Sequence, residues 1–154
     1  RTFTARQLEE EQIPKCQLHS LIADVALFAE KLVLLVRYRD INKYDHQAGW
    51  FLPDDALRQF EHPEMAAKRI LKEQLNVTIP KVSLGFIESF RGDDGTWHMT
   101  FHYRADVDAA ILLEPSEDLK TAEWFGLAQL PERDEVAHHG WALSTIRQLT
   151  QHSP

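Results

Sequence analysis

The chain has 154 residues, 44% of them hydrophobic and 27% charged, with a formal net charge of −7. That length suits one domain around one core, and no apolar run approaches the roughly 18–20 residues needed to cross a bilayer. The negative balance repels a phosphate backbone and so disfavours nucleic acid as a partner. A single cysteine, Cys16, excludes an internal disulfide and a cysteine-cage zinc site and fits a reducing cytoplasm.

Thr4-Ala5-Arg6-Gln7 reads as a capping box opening a short helix that Pro14 ends. The polar, acidic start (Glu9, Glu10, Glu11) gives no expectation of a secretory leader. Residues 1–17 are therefore taken as an N-terminal helix and extension, and 18–154 as the domain. Leu18 to Phe28 and Lys31 to Tyr38 are rich in aliphatic residues and read as two strands around a short turn at Ala29-Glu30. The polar stretch Arg39 to Gly49 reads as a loop. In this region Arg37, Arg39 and Lys43 form the clearest basic cluster, either a solvated strand end or a phosphate contact.

Gly49 to Pro53 is a short extended piece. A helix is expected from His62 to Leu75, with Pro63 in its first turn and Ala67, Leu71 and Leu75 as its core stripe. Asn76 can supply a left-handed cap. Val82 to Phe90 and Thr96 to Val107 read as strands joined by a hairpin at Arg91-Gly92-Asp93-Asp94-Gly95. A short strand around Glu123-Trp124-Phe125 and a helix from His139 to Thr150 complete the chain. Interspersed strands and helices around one core give an α/β or α+β class.

Trp50-Phe51-Leu52-Pro53, then Glu61, then Ala66-Ala67-Lys68-Arg69-Ile70-Leu71-Lys72-Glu73-Gln74-Leu75-Asn76-Val77 resembles the signature of the Nudix (nucleoside-diphosphate-linked-X) hydrolases. That signature reads G, five residues, E, seven residues, R-E-U-x-E-E-x-G-U, where U is bulky and apolar. The lead-in, the spacing from Glu61 to Arg69, and Arg69, Leu71, Glu73 and Val77 all match. The resemblance covers roughly Leu18 to Thr150. It implies an α/β/α sandwich with a mixed sheet, and Mg²⁺-dependent hydrolysis of a nucleoside-diphosphate-linked small molecule.

Four positions depart from the signature: Asp55 and Asn76 stand where it has glycine, and Ile70 and Gln74 where it has glutamate. Asp and Asn tolerate left-handed turns, so the glycine changes are expected to be mild. The glutamate changes strike at the chemistry. Splitting a diphosphate needs divalent ions to neutralise it and activate water, and Mg²⁺ takes hard oxygen ligands. Helix positions i, i+3 and i+4 share a face, so the family pattern gathers three carboxylates where this chain offers Ile70, Glu73 and Gln74. One anion in place of three predicts weak or absent Mg²⁺ binding, with Mn²⁺ as an option.

The resemblance makes Glu73, Glu61 and Arg69 candidate catalytic residues, with Glu73 and the Gln74 carbonyl as metal ligands facing a cleft. On the residues alone, Glu73 also reads as a solvated helix position and Glu61 as a helix-entry carboxylate. Glu88, Asp93, Asp94, Glu123 and Asp134 could converge to replace the lost ligands. The GDP-mannose hydrolase branch also lacks the glutamate at the Ile70 position and uses a loop histidine as base. His138 and His139 are the candidates here, although that branch keeps glutamate where this chain has Gln74. His98 and His102 face one side of a strand about 13 Å apart, too far to share an ion, and are expected exposed or half-buried. Trp97, Trp124, Trp141, Phe90 and Tyr44 read mostly as core, one or two of them able to stack a base. Two functions stay open: a hydrolase of nucleotide-linked diphosphates, sugar nucleotides included, and a non-catalytic domain binding a nucleotide or a protein. A homodimer is left open too.

Overall fold

The computed structural model describes residues 19–151, so the expected N-terminal helix and Cys16 lie outside the described residues. The strands are β1 (His19–Ala29), β2 (Leu32–Tyr38), β3 (Asp54–Ala56), β4 (Ser83–Arg91), β5 (Trp97–Val107) and β6 (Leu119–Gly126). The helices are α1 (Pro63–Leu75) and α2 (Ala137–Gln151). The sheet is mixed, with order β4-β5-β1-β2-β6 and β3 paired beside β1. β1 and β5 run parallel over their whole length, and the other pairings are antiparallel.

β1 reads as a nearly continuous apolar run because it is buried on both faces. Val25 and Leu27 pack with Leu34, Val36 and the α1 stripe Ala67, Leu71 and Leu75. Ala26 and Phe28 pack with Val33, Leu35 and the α2 residues Ala142, Ile146 and Leu149. A helix on each face of one sheet is the expected α/β/α sandwich.

β1 and β2 pair only at Phe28↔Val33 and Ala29↔Leu32 and then diverge. Segment 50–56 fills the wedge between them. Val36 N–H donates to the Phe51 carbonyl, Val25 N–H donates to the Pro53 carbonyl, and β3 pairs with β1 at Ala23↔Asp55. Asp55 thus lies in a strand, where its tolerance of a left-handed turn is not called on, because its backbone belongs to the ladder. Asn76 does cap α1 in the left-handed region, at φ 55°.

Two further expectations change. His102 is fully buried because β5 is an interior strand covered on this face by α2. Trp97 and Phe90 are exposed, at 44% and 41%, because they stand at the hairpin end of the β4–β5 pair, at the edge of the sheet. Among the described residues no helix is long and apolar enough to cross a membrane.

The packing predicts that Leu71→Ala, at a fully buried position in the α1 core, lowers unfolding free energy by about 2–5 kcal/mol. Phe60→Ser, at a position 97% exposed, should change it by no more than about 0.5 kcal/mol. Urea denaturation of both variants checks the contrast.

Candidate functional site

The signature helix α1 begins with His62 as its cap, the ring Nδ1 accepting from Glu64 N–H at 3.0 Å. From there the side chains divide. Ile70 is fully buried in a small cluster with Ala23 and Ala66, packed by Leu57. Arg69 is nearly buried and forms a hub. Its Nε and Nη2 donate to both oxygens of Glu61, at 2.8 and 3.0 Å, and Nη1 reaches Asp55 at 2.9 Å and Glu73 at 3.3 Å. Arg69 holds the Glu61 carboxyl below the usual range by hydrogen bonding. Glu73 is exposed and takes a second arginine, Arg58 Nη2, at 2.7 Å. Glu61 and Arg69 therefore meet as the signature spacing implies, while Glu73 is neutralised by two guanidinium groups.

Gln74 does not face an open cleft, contrary to expectation: it is 5% exposed. Its Nε2 donates to the Asp54 carbonyl at 2.9 Å, and its Oε1 accepts from the Tyr38 hydroxyl at 2.9 Å. The same hydroxyl accepts from Asp54 N–H at 2.9 Å. A glutamate here would set a carboxylate against the Asp54 carbonyl, acceptor against acceptor, and would need a cation between them. The amide of Gln74 supplies that positive edge as an N–H donor. The Mg²⁺ that the family implies therefore does not fit the signature helix of this chain: Ile70 has no donor atom, Gln74 is engaged and Glu73 is already paired.

A cleft of about 620 Å³ lies on the opposite face of the sheet, under the start of α2. Ile22, Thr100, Glu88, His98 and Phe90 line its floor, Trp141 and His138 one wall, and the 45–47 loop another. Its size is ordinary for a small-molecule site. Of the carboxylates considered outside the signature, Glu88, Asp93 and Asp94 line it; Glu123 and Asp134 are not among its lining residues. Asp54 joins the two faces: its carbonyl accepts from Gln74, and the residue is among those that line the cleft.

Beneath the floor runs a buried chain that the sequence reading missed. Asp24 oxygens lie 2.8 and 2.9 Å from His102 Nδ1, and His102 Nε2 lies 2.8 Å from Glu88 Oε1. Trp141 Nε1–H also donates to that Glu88 oxygen, at 3.3 Å. The register Asp54↔Asp24↔His102 across β3, β1 and β5 assembles the row, and only strand order, invisible in sequence, brings these residues together. Burial alone would depress the His102 pKa, but its hydrogen bond to Asp24 and the charges of Asp24 and Glu88 raise it overall. Burial raises the carboxyls of Asp24 and Asp54, and for Asp54 the Asp24 charge adds to it.

The cleft mouth is held in an uncommon backbone state. Asp45, His46, His138 and His139 all have φ between 54° and 58°, each costing on the order of 1 kcal/mol outside glycine. His138 Nε2 meets Asp45 at 3.1 Å, and Gln47 Oε1 accepts from His138 N–H at 3.1 Å. His138 thus lines the cleft, as a base candidate must. His139 is exposed and is not among the lining residues; its carbonyl accepts from Arg133 Nε at 2.7 Å. Of the basic cluster, Arg37 lies over Trp50 at 4.4 Å, and Arg39 donates to the carbonyls of Glu117 and Leu119.

Upward shifts mean that the native state holds protons the unfolded chain has released. For His102 the stabilisation is complete below its ordinary value of 6.5 and is lost as pH rises through the folded value. Melting temperature should therefore fall as pH rises from about 6.5, and His102→Gln should flatten that decline. Calorimetric melts from pH 6 to 9 read the difference.

The profile of the NUDIX domain family matches residues 18–144. A comparison with curated proteins finds no match. Among solved structures the fold resembles a MutT NUDIX hydrolase from Burkholderia pseudomallei (18% identity, TM-score 0.69, 89% of this chain and 100% of that one). It also resembles an Ap4A hydrolase from C. elegans (15%, 0.66, 86% and 96%). A third is the NUDIX domain of Shewanella oneidensis NrtR, solved with ADP ribose (20%, 0.63, 95% and 98%). With the profile spanning most of the chain and the sandwich and signature helix in place, this chain belongs to the NUDIX domain family.

Proposed function

We propose that this chain is a NUDIX domain that binds a nucleoside-diphosphate-linked small molecule and does not hydrolyse it through metal ions at the signature helix. The carrying observation is Gln74, whose amide bonds the Asp54 carbonyl and the Tyr38 hydroxyl where the family pattern has a carboxylate. Burial of Ile70 and the double pairing of Glu73 act in the same direction. Support for the ligand class comes from the fold neighbours, one an Ap4A hydrolase and one solved with ADP ribose.

A second reading, hydrolysis with ligands from outside the signature, has one observation in its favour: Glu88, Asp93 and Asp94 share the cleft with His138. Under it, sugar nucleotides are the substrates and His138 the base. The net charge of −7 keeps nucleic acid a poor partner under either reading.

Calorimetric titration of ADP-ribose, GDP-mannose and diadenosine tetraphosphate should show binding of at least one, with equal affinity in EDTA and in Mg²⁺. Phosphate or nucleotide release with Mg²⁺ or Mn²⁺ should stay at background. Turnover at ordinary enzyme rates, or micromolar Mg²⁺ affinity, would overturn the non-hydrolysing reading in favour of the second.

Restoring the signature should be costly in stability. Ile70→Glu puts an unpaired carboxylate into a dry cluster and should lower stability by about 3–5 kcal/mol. Gln74→Glu removes the donor from the Asp54 carbonyl and should cost about 1–3 kcal/mol. Added Mg²⁺ should recover part of the loss in the double variant, because only a cation can bridge the restored carboxylates; thermal melts with and without Mg²⁺ read this.

A further inference from the structure

The two edges of the sheet are unlike. β6 is half-buried along most of its length and carries Lys120 and Glu123. Exposed charges of that kind keep an edge strand from pairing with another chain. β4 is exposed at every position except Phe86 and Glu88. Between Ser83 and Phe90 its one charge is Glu88, which is turned inward onto His102 and Trp141. A register irregularity between Leu84 and Phe86 leaves Phe86 to Arg91 as a regular edge, about 20 Å long. Its outward backbone N–H and C=O groups have no strand beside them among the described residues, and such groups require partners.

That edge continues into an apolar face. The register sets Leu84 beside Tyr103, Ile87 beside Phe101 and Ser89 beside Met99, so these residues share the face that carries α1. The helix packs over the middle of the sheet and leaves its outer end open. Leu84 and Ile87 are each 48% exposed and Trp97 is 44% exposed. Trp97 Nε1–H donates to Ser89 Oγ at 2.7 Å, which lays the indole across β4. A long, exposed edge flanked by apolar side chains is a site of association.

The ends of the strand specify the occupant. Lys81 stands two residues before β4 and Asp93 two residues after it, followed by Asp94. Lys81 and Asp93 are both exposed, and neither has an ion pair among the described residues. A second copy of the strand running antiparallel brings the Lys81 end of each copy to the Asp93–Asp94 end of the other. Parallel pairing would instead set lysine against lysine.

We propose that the chain forms a two-fold dimer in which β4 pairs with β4 of a second copy, with Leu84 and Ile87 packing across the seam. The same patch serves both copies, so the contact closes and association stops at two. Asp93 and Asp94 line the cleft, and the dimer therefore sets a lysine of one copy beside the cleft of the other. The dimer does not depend on the binding reading above.

Sedimentation velocity from micromolar to millimolar protein, with hydrogen exchange of the β4 amides, tests it. The wild type should pass from monomer to dimer, and exchange from Phe86 to Phe90 should slow as the dimer fills. Ile87→Lys puts a charge on the edge where the side chain is half-exposed. It should weaken the dimer by about tenfold or more, with an unchanged melting temperature at concentrations where the wild type is monomeric. Lys81→Glu and Asp93→Lys should each weaken it several-fold, and combining the two in one chain should recover most of the loss. Phe60→Ser, exposed outside this face, should leave it unchanged. A wild type that stays monomeric throughout would overturn the inference. So would a dimer whose β4 amides exchange as fast as in the monomer, or a charge swap that recovers nothing. Slow β4 exchange in a monomer would assign the edge to another segment of the chain itself and overturn it too.

Discussion

The hydrogen-bonded junction of Tyr38, Asp54 and Gln74 is the contact on which the arrangement of both faces depends. β1 and β2 splay after two residue pairs, and a splayed sheet leaves backbone groups that must find partners. Segment 50–56 fills the gap, and the junction ties it to the end of β2 through Tyr38 and to α1 through Gln74. All three residues are buried, so each bond is made in a low-dielectric setting where an unmade one would be expensive. A neutral amide closes this ring without an ion. A carboxylate in its place would face the Asp54 carbonyl acceptor against acceptor, so the amide is what completes the ring within the protein.

Arg69 does comparable work on the outer side of α1. Its fork joins the loop before the helix, through Glu61, to β3 through Asp55 and to the next helical turn through Glu73. The bidentate, nearly buried pair with Glu61 is the strong part. Arg58 with Glu73 is exposed on both sides and adds little to stability. It does, however, give Glu73 a second guanidinium partner beside Arg69. Around Arg69 the signature spacing forms a brace, with Glu61, Asp55 and Glu73 paired to one guanidinium group.

The opposite face shows the reverse economy. There the fold tolerates an Asp–His–Glu chain, unpaired polar atoms at Asp54 and Thr100, and left-handed backbone at Asp45, His46 and His138. The unpaired atoms and the left-handed backbone oppose folding, the chain through His102 favours it only while that histidine keeps its proton, and all lie at or beneath one cleft. Local conflicts with folding concentrate where a surface is shaped for something else.

Local rules were enough for the elements. Aliphatic runs marked β1 and β2, four-residue spacing marked the α1 stripe, Pro63 and Asn76 marked its ends, and the signature spacing brought Glu61 to Arg69. These depend on neighbours along one strand or one helix, which is why sequence alone determined them. Ile70 and Gln74 were also visible as departures, but not their consequence: whether Gln74 could offer its oxygen depended on Tyr38 and Asp54, 36 and 20 residues away. The cleft was less legible still. His102 read as exposed or half-buried because a period of two reports only which residues share a face, not whether a helix covers it. Asp24 sat inside an apolar run with nothing to mark it, and nothing local marked Asp55 as a strand residue paired with β1. The parallel register of β1 with β5 aligns Asp24 with His102 across 78 residues of chain, and a pairing set by the whole sheet is one that only the tertiary structure decides.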